Sequence, residues 1–426
     1  MAAVKVVVAV ALLTLLGFPW NGEAAVVNAA NCSAASVQLA IDTAVDGDTV
    51  IVPNGSCTWT SGITVTKQIT IAGQTKGSVL ITHGAGGATL LTLNTGPNFS
   101  TVVKALSFLP GTGTGNYMIV GGSGRPPLIH DNYFQIPDFQ LNVAIRFERN
   151  GGVIHHNVFE SINPNGSGSG TIQLKPLGLS SSWSTASTMG MADTTGTANV
   201  YIEDNTFTNL YLSAIDCDDN ARTVIRRNMF NDSGAGCHGA DTSTYGHRHT
   251  ELYDNTFVFH TTPSGGINYP LNINWWFQWR GGTGVVTGNV MPNISSQAWG
   301  AKPEIRASVY QLHRNAGPDA CTTTYPAYHQ VGRGMNNTAE PLYIWGNTGT
   351  GVPENLAKVD YTPDQCGRDY VTYTTANWVQ LGRDYFTGTP KPGWTRYTYP
   401  HPLASGSVPP PPPNSAPSAP TNLRVY

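Results

Sequence analysis

Short apolar runs recur along the chain inside one fixed phrase: an aliphatic residue, Asn three positions later, and an aromatic two beyond. It reads Ile129-His130-Asp131-Asn132-Tyr133-Phe134, then Ile154-His155-His156-Asn157-Val158-Phe159 and Ile202-Glu203-Asp204-Asn205-Thr206-Phe207. Ile225-Arg226-Arg227-Asn228-Met229-Phe230 and Leu252-Tyr253-Asp254-Asn255-Thr256-Phe257 follow, and looser copies centre on Asn289 and Asn347. Successive Asn residues lie 25, 48, 23, 27, 34 and 58 positions apart. The short steps mark a unit of about 25 residues, the sign of a stacked repeat. The step of 48 reads as two units, and the longer ones as units with insertions. Apolar residues do not recur at helical spacing, and Gly, Asn, Asp and Thr flank each run, so the unit reads as strand, turn, strand.

Stacked strands place equivalent side chains about 4.8 Å apart. Ile then sits on Ile and Phe on Phe, and each Asn amide can donate to the next Asn carbonyl. The recurring Asn is read as a corner residue whose tolerance of left-handed backbone also helps. One unit cannot bury its own apolar face, whereas several together can. The fold class is all-β, a parallel β-helix, and the general chirality of parallel crossovers makes it right-handed.

Residues 1–25 read as a secretory signal peptide, with Lys5, the apolar run Val6 to Phe18 and small residues near Ala24. No later stretch is apolar enough to cross a bilayer, so a secreted, extracellular protein without a membrane span is expected. A net charge of −3 and 12% charged residues exclude a nucleic-acid partner. Export permits disulfides, and the six cysteines are expected to pair as Cys32–Cys57, Cys217–Cys237 and Cys321–Cys366.

Residues 26–404 form the β-helix domain with its caps. Ser36-Val37-Gln38-Leu39-Ala40-Ile41-Asp42 has helical spacing and is expected as an N-terminal cap, which a solenoid needs over its first coil. The aromatic segment from Lys391 to Leu403 is expected as a C-terminal cap over the last coil. Residues 405–420 form a Pro/Ser-rich linker, and 421–426 resemble the opening strand of a fibronectin type III module, so surface display is the alternative to simple secretion.

The helix, the strand Gly47-Asp48-Thr49-Val50-Ile51-Val52 and the strand Ile69-Thr70-Ile71-Ala72-Gly73 together resemble the opening of secreted bacterial pectate-lyase-like β-helix proteins. That resemblance covers roughly residues 30–403. It implies a right-handed β-helix. It is much less specific for the reaction, since the fold hosts several chemistries.

Chemistry must sit outside a filled coil. Ala214-Ile215-Asp216-Cys217-Asp218-Asp219, then Gly236-Cys237-His238-Gly239-Ala240-Asp241, His247-Arg248-His249 and Trp275-Trp276-Phe277-Gln278-Trp279-Arg280 bring acids, imidazoles, guanidinium groups and indoles over about three coils. A lyase acting on an acidic polysaccharide needs the uronate carboxylate neutralised and a base for the C5 proton. Asp216, Asp218 and Asp219 are candidate Ca²⁺ ligands. His238, Arg248, His249 and Asp241 are candidate catalytic groups. Arg280 and His247 are candidate substrate clamps, and Trp275, Trp276 and Trp279 candidate sugar platforms. No organic cofactor is indicated, and a monomer is expected. Lys175 and Arg146 border the same groove on earlier coils, with nothing in the sequence to single them out. The competing readings are turn capping by the aspartates, a polygalacturonase-like hydrolase, and a non-catalytic glycan-binding or adhesin-like surface protein. Glu203-Asp204 and Arg226-Arg227, at matching positions, read as a cross-rung ion-pair set worth little each.

Overall fold

The computed structural model describes residues 24–94, 100–112, 115–122, 125–136, 143–161, 171–176, 183–210, 213–240, 245–258, 275–291, 304–308, 325–349, 358–360 and 378–405. The signal peptide, the proline linker, Cys321, Cys366 and Asp241 lie outside the described residues. Three parallel sheets of 12, 8 and 10 strands run the length of the fold. Through most of the fold the chain visits them in rotation, here named sheets 1, 2 and 3, and beyond Thr283–Thr287 the described strands alternate between sheets 1 and 3. One coil shows the pattern: Val200–Glu203 in sheet 1, Thr206–Thr208 in sheet 2, Ile215–Cys217 in sheet 3, then Arg222–Arg226 back in sheet 1. This is the expected parallel β-helix.

The recurring phrase is the corner between sheets 1 and 2. Ile129, Ile154, Ile202, Ile225, Leu252, Val286 and Ile344 are in-register partners. The six rings Phe108, Phe134, Phe159, Phe207, Phe230 and Phe257 stack with centroids 4.5 to 5.0 Å apart. Between them, Asn132, Asn157, Asn205, Asn228, Asn255, Asn289 and Asn347 form one continuous ladder, each Nδ2 donating to the next Oδ1 at 2.9 to 3.1 Å. Each Nδ2 also donates to a carbonyl one coil back, as Asn228 does to Ile202. Buried amides thus satisfy one another without water.

Two expectations are corrected here. The left-handed residue is the one before the ladder Asn, as at Asp131, His156, Asp204, Arg227 and Asp254 (φ 53 to 57°). The Asn is instead committed to its ladder bonds, and Gly288 and Gly346 fill the left-handed place in the last two rungs. The step of 48 is one coil, not two, because Asn157 donates directly to Asn205. The extra length is an insertion after sheet 3, whose part Trp183 to Asn199 folds back over the corner leading to sheet 1.

At the N-terminal end, Ala34–Thr43 is helical. Ser33 Oγ caps it by accepting from Ser36 N, and Ala34, Val37, Ala40 and Ile41 face the core against the first strands. Cys32 and Cys57 form the expected disulfide, with Cα atoms 5.8 Å apart. Cys217 and Cys237 are in-register partners, yet both remain buried thiols. Both point inward from adjacent parallel strands, side by side like any other stacked pair, and Cys237 Sγ lies 3.1 Å from Thr250 Oγ1.

The C-terminal segment does not cover the last coil. It runs backwards across the outer face of sheet 1 as a strap. Trp394 donates to Glu251, Arg396 pairs with Asp254, and Tyr399 donates to Asp204. His401 N reaches Glu203. The reason is apolar: Leu128, Val153, Tyr201, Val224 and Tyr253 make a second buried cluster on that outer face, and Tyr397, Trp394 and Leu403 cover it. Beneath the strap, Glu203 and Arg226 are fully buried, with Nη2 to Oε2 at 2.7 Å. Arg226 also donates to the carbonyls of Tyr397 and Thr398. The pair is an anchor for the strap rather than the weak surface contact its sequence position suggested.

Candidate active site

Sheet 3 carries the candidate chemistry on its outer face. Its strands Ile172–Leu174, Ile215–Cys217, Ala235–Cys237 and Trp275–Trp279 stack in register. Alternation turns Leu174, Cys217, Cys237 and Trp279 into the core and Gln173, Asp216, Gly236 and Gln278 outward. One step past the strand ends come Lys175, Asp218, His238 and Arg280. Each backbone N–H donates one coil back, to Phe147, Leu174, Cys217 and Cys237 respectively. Four polar side chains therefore sit in file on four consecutive coils.

Within that file the charges pair. Lys175 Nζ lies 3.1 Å from Asp218 Oδ2. Gly236, the neighbour of Asp216, brings no side chain, and His238 reaches back so that Nδ1 meets Asp216 Oδ1 at 2.5 Å. A carboxylate only accepts, so the neutral imidazole carries its proton on Nδ1 and its lone pair on Nε2. Burial alone would raise the Asp216 carboxyl. His238, with Lys175 and Arg280 behind it, outweighs that and holds it below the ordinary carboxylate range. Burial lowers the Lys175 ammonium, but Asp218, Asp216 and Asp219 together raise it, so it stays charged.

The neighbouring coil corner is buried. His247 N and Nδ1 both donate to the carbonyl of His238, at 3.0 and 2.9 Å. Burial drives the His247 imidazole down to about 4, so it is neutral. Arg248 is fully buried. It donates to Thr185 O and Glu340 Oε2 and lies over the Trp183 ring. His329 stacks on Trp183 at 3.5 Å and accepts from Gly246 N.

Asp216, Asp218, His238 and Arg280 are thus brought to one outer face, and Lys175 joins them. His247 and Arg248 are adjacent to it but buried. His249 is displaced: it lies on sheet 1 under the insertion, where Ser187 Oγ donates to Nδ1 and Nε2 donates to Asn199 Oδ1. Burial, then Arg222 and Arg248, push it far below its usual range, so it is no general base for this face. The indoles are corrected too. Trp279 is in the core against Phe277, and Trp276 packs edge-on against Phe257 of the ring stack. A register shift between Trp275 and Phe277 lets both Trp276 and Phe277 turn inward. The Trp275 side chain lies outside the described residues.

Among the described residues Asp216, Asp218 and Asp219 do not converge on one metal position. Asp216 is engaged by His238 and Asp218 by Lys175, and Asp218 Oδ1 accepts from Asp219 N at 2.9 Å. Among the described residues, no group of three His, Cys, Asp or Glu side chains converges to hold a metal ion.

No helix among the described residues is long and apolar enough to cross a membrane. No family model matches the chain, and no curated protein matches it. Solved structures do. An alginate lyase from Paenibacillus sp. str. FPU-7 matches at 13% identity and a TM-score of 0.49, over 80% of this chain and 98% of its own. A PL6 family polysaccharide lyase from Pseudopedobacter saltans matches at 13% identity and a TM-score of 0.41, over 86% and 97%. The A-module of a mannuronan C-5 epimerase from Azotobacter vinelandii matches at 13% identity and a TM-score of 0.37, over 84% and 92%. At such identities the side chains of this chain must carry any reading of its chemistry.

Proposed function

We propose that the chain is an exported lyase that cuts a uronic-acid-containing polysaccharide by β-elimination on the outer face of sheet 3. The observation that carries this is the file of Lys175, Asp218, His238 and Arg280 on consecutive coils, with His238 held by Asp216. A uronate C5 proton is too weakly acidic until its carboxylate is neutralised, and the cations Lys175 and Arg280 are suited to do so. His238 Nε2 then takes the C5 proton. The C4–C5 double bond forms as the C4–O bond breaks, and the imidazolium returns its proton to the departing oxygen. Asp216 fixes the tautomer and offsets the imidazolium charge.

Hydrolysis fits less well. It needs one carboxyl that keeps its proton near neutral pH. Asp216 is held ionised, and among the described residues the carboxyl that burial raises, Glu251, lies under the strap on sheet 1.

The test is incubation with pectate, alginate and glycosaminoglycans. Products with new absorbance near the ultraviolet edge, lost in His238→Ala and Lys175→Ala, support the lyase. New reducing ends without that absorbance would make it a hydrolase. Retardation of the protein in glycan-containing gels without turnover would leave a binding protein.

A further inference from the structure

His247 came out of the sequence as a group that touches substrate, and the structure gives it another place. Its ring is fully buried, out of reach of a polysaccharide lying on sheet 3. Among the described residues its hydrogen bonds converge on one atom of the neighbouring coil corner. His247 donates to the His238 carbonyl twice, from its backbone N–H at 3.0 Å and from Nδ1–H at 2.9 Å. A carbonyl oxygen has two lone pairs, and one residue occupies both.

The clip is itself held on both sides. Gly246 O accepts from Trp183 Nε1 at 2.7 Å, and Gly246 N donates to His329 Nδ1 at 3.3 Å. Arg248 N donates to Ala221 O at 2.8 Å, and Arg248 Nη2 to Glu340. Gly246 also sits against Gly239 so closely that a Cβ there would come within 3.1 Å of its backbone. Residues 238–240 and 245–247 therefore lie against one another, with His247 as the pin. The other side of His238 is fixed by its own N–H, 2.6 Å from Cys217 O. A ring that must meet Asp216 Oδ1 at 2.5 Å has its backbone fixed at both ends of one residue.

We infer that His247 is the positioning residue of the Asp216–His238 pair, acting through the His238 carbonyl and touching no substrate. The role needs a neutral ring donating from Nδ1, which is the tautomer a carbonyl partner enforces. In catalytic terms the inference rests on the lyase reading above; its structural part does not.

The experiment has two arms. The first uses no substrate. In ¹⁵N-labelled full-length protein, the His238 Nδ1 proton bonded to Asp216 gives a far-downfield, slowly exchanging imidazole signal, assigned by its loss in His238→Gln. In His247→Ala, whose folding is checked by circular dichroism, that signal is expected to broaden or move upfield. His247→Asn, whose amide can still donate to the carbonyl, is expected to restore it in part. If His247→Ala unfolds, the Asn variant with partial restoration carries the test. An unchanged signal in a folded His247→Ala overturns the inference. The second arm uses whichever glycan the wild type cleaves. Misplacing a base by about 1 Å costs on the order of a hundredfold, so kcat should fall by about that factor, with KM little changed and the acid limb of the pH profile displaced. A rise in KM at constant kcat would return His247 to substrate binding. If no glycan is cleaved, the lyase reading fails while the first arm still decides the positioning role.

Discussion

Replacing Asn228 by Leu, a side chain of similar size, tests the ladder as the spine of the fold. Asn228 Oδ1 accepts from both the backbone N–H and Nδ2 of Asn205, at 3.0 and 3.1 Å. Its own Nδ2 donates to Ile202 O at 2.8 Å and to Asn255 Oδ1 at 3.0 Å. Asn255 Oδ1 keeps the Asn228 backbone N–H, and Asn205 Nδ2 keeps the carbonyls of Ile154 and Glu203, so the group left without its partner is the Asn205 backbone N–H. Stripping that buried N–H costs about 1–3 kcal/mol and losing the Nδ2 bond about 1 kcal/mol more, which puts Asn228→Leu at roughly 2–4 kcal/mol. The first rung supplies an internal control. Asn132 Oδ1 accepts from the backbone N–H of Leu106 at 3.1 Å, and Leu106 has no amide to add. One backbone N–H is stranded there too, but no amide bond is lost with it, so Asn132→Leu should cost about 1 kcal/mol less. Guanidinium denaturation followed by far-ultraviolet circular dichroism measures both. Equal costs for the two variants, or an Asn228→Leu protein as stable as the parent, would show that the rings and aliphatic stacks hold the coils and the amides only fill space.

Two further outcomes follow from the covered face of sheet 1. Removing one partner of the buried Glu203–Arg226 pair, as in Arg226→Met, should cost about 3–5 kcal/mol, while Glu203→Met combined with Arg226→Met should recover part of that; denaturation midpoints of the single and double variants check it, and a double variant weaker than the sum of the singles refutes it. Glu251 is buried in an otherwise apolar row and its carboxyl is pushed up to about 8, above its ordinary 4.5. Its proton is therefore retained on folding, and the stability this supplies is complete below pH 4.5 and lost as pH rises through about 8. Glu251→Gln should leave the melting temperature at pH 5 nearly unchanged and raise it at pH 9, narrowing the gap between the two; an unaltered gap contradicts the assignment.

The coil was legible because its phrase repeats aliphatic, Asn and aromatic residues at one corner, and stacking leaves those positions little choice. The placement of Asp216 and His238 on neighbouring coils was legible for the same reason, since Cys217 and Cys237 lie one coil apart, but their contact was not, because Asp216 was read as a calcium ligand. Lys175 was hidden because its coil carries only Gln173 and Leu174 before it, with no acid or Cys to set the register by eye. The fates of Arg248 and His249 depended on the insertion between Lys175 and Asn199. Nothing in a count of 48 says whether the extra residues make a second coil or a cover. They make a cover, and Thr185, Ser187 and Asn199 take both side chains out of solvent. Alternation alone would turn only one of Trp276 and Trp279 inward, and a register shift that the sequence does not announce turns both inward. The Glu203–Arg226 pair looked superficial because the segment that buries it lies about 170 residues further on (|i−j| of 171 to Tyr397).

In a stack whose turns touch only their neighbours, melting can begin at an end and travel inward one turn at a time. The strap changes that accounting. Trp394, Arg396, Tyr397 and His401 bind residues 251, 254, 226 and 203 in turn, so the strap is fastened to turns well inside the fold. Fraying of the C-terminal turns leaves those contacts in place, and loosening the strap exposes several turns together. The distal half should therefore open as one unit, visible in hydrogen exchange as a shared protection level from Val200 to Tyr253 rather than a gradient along it.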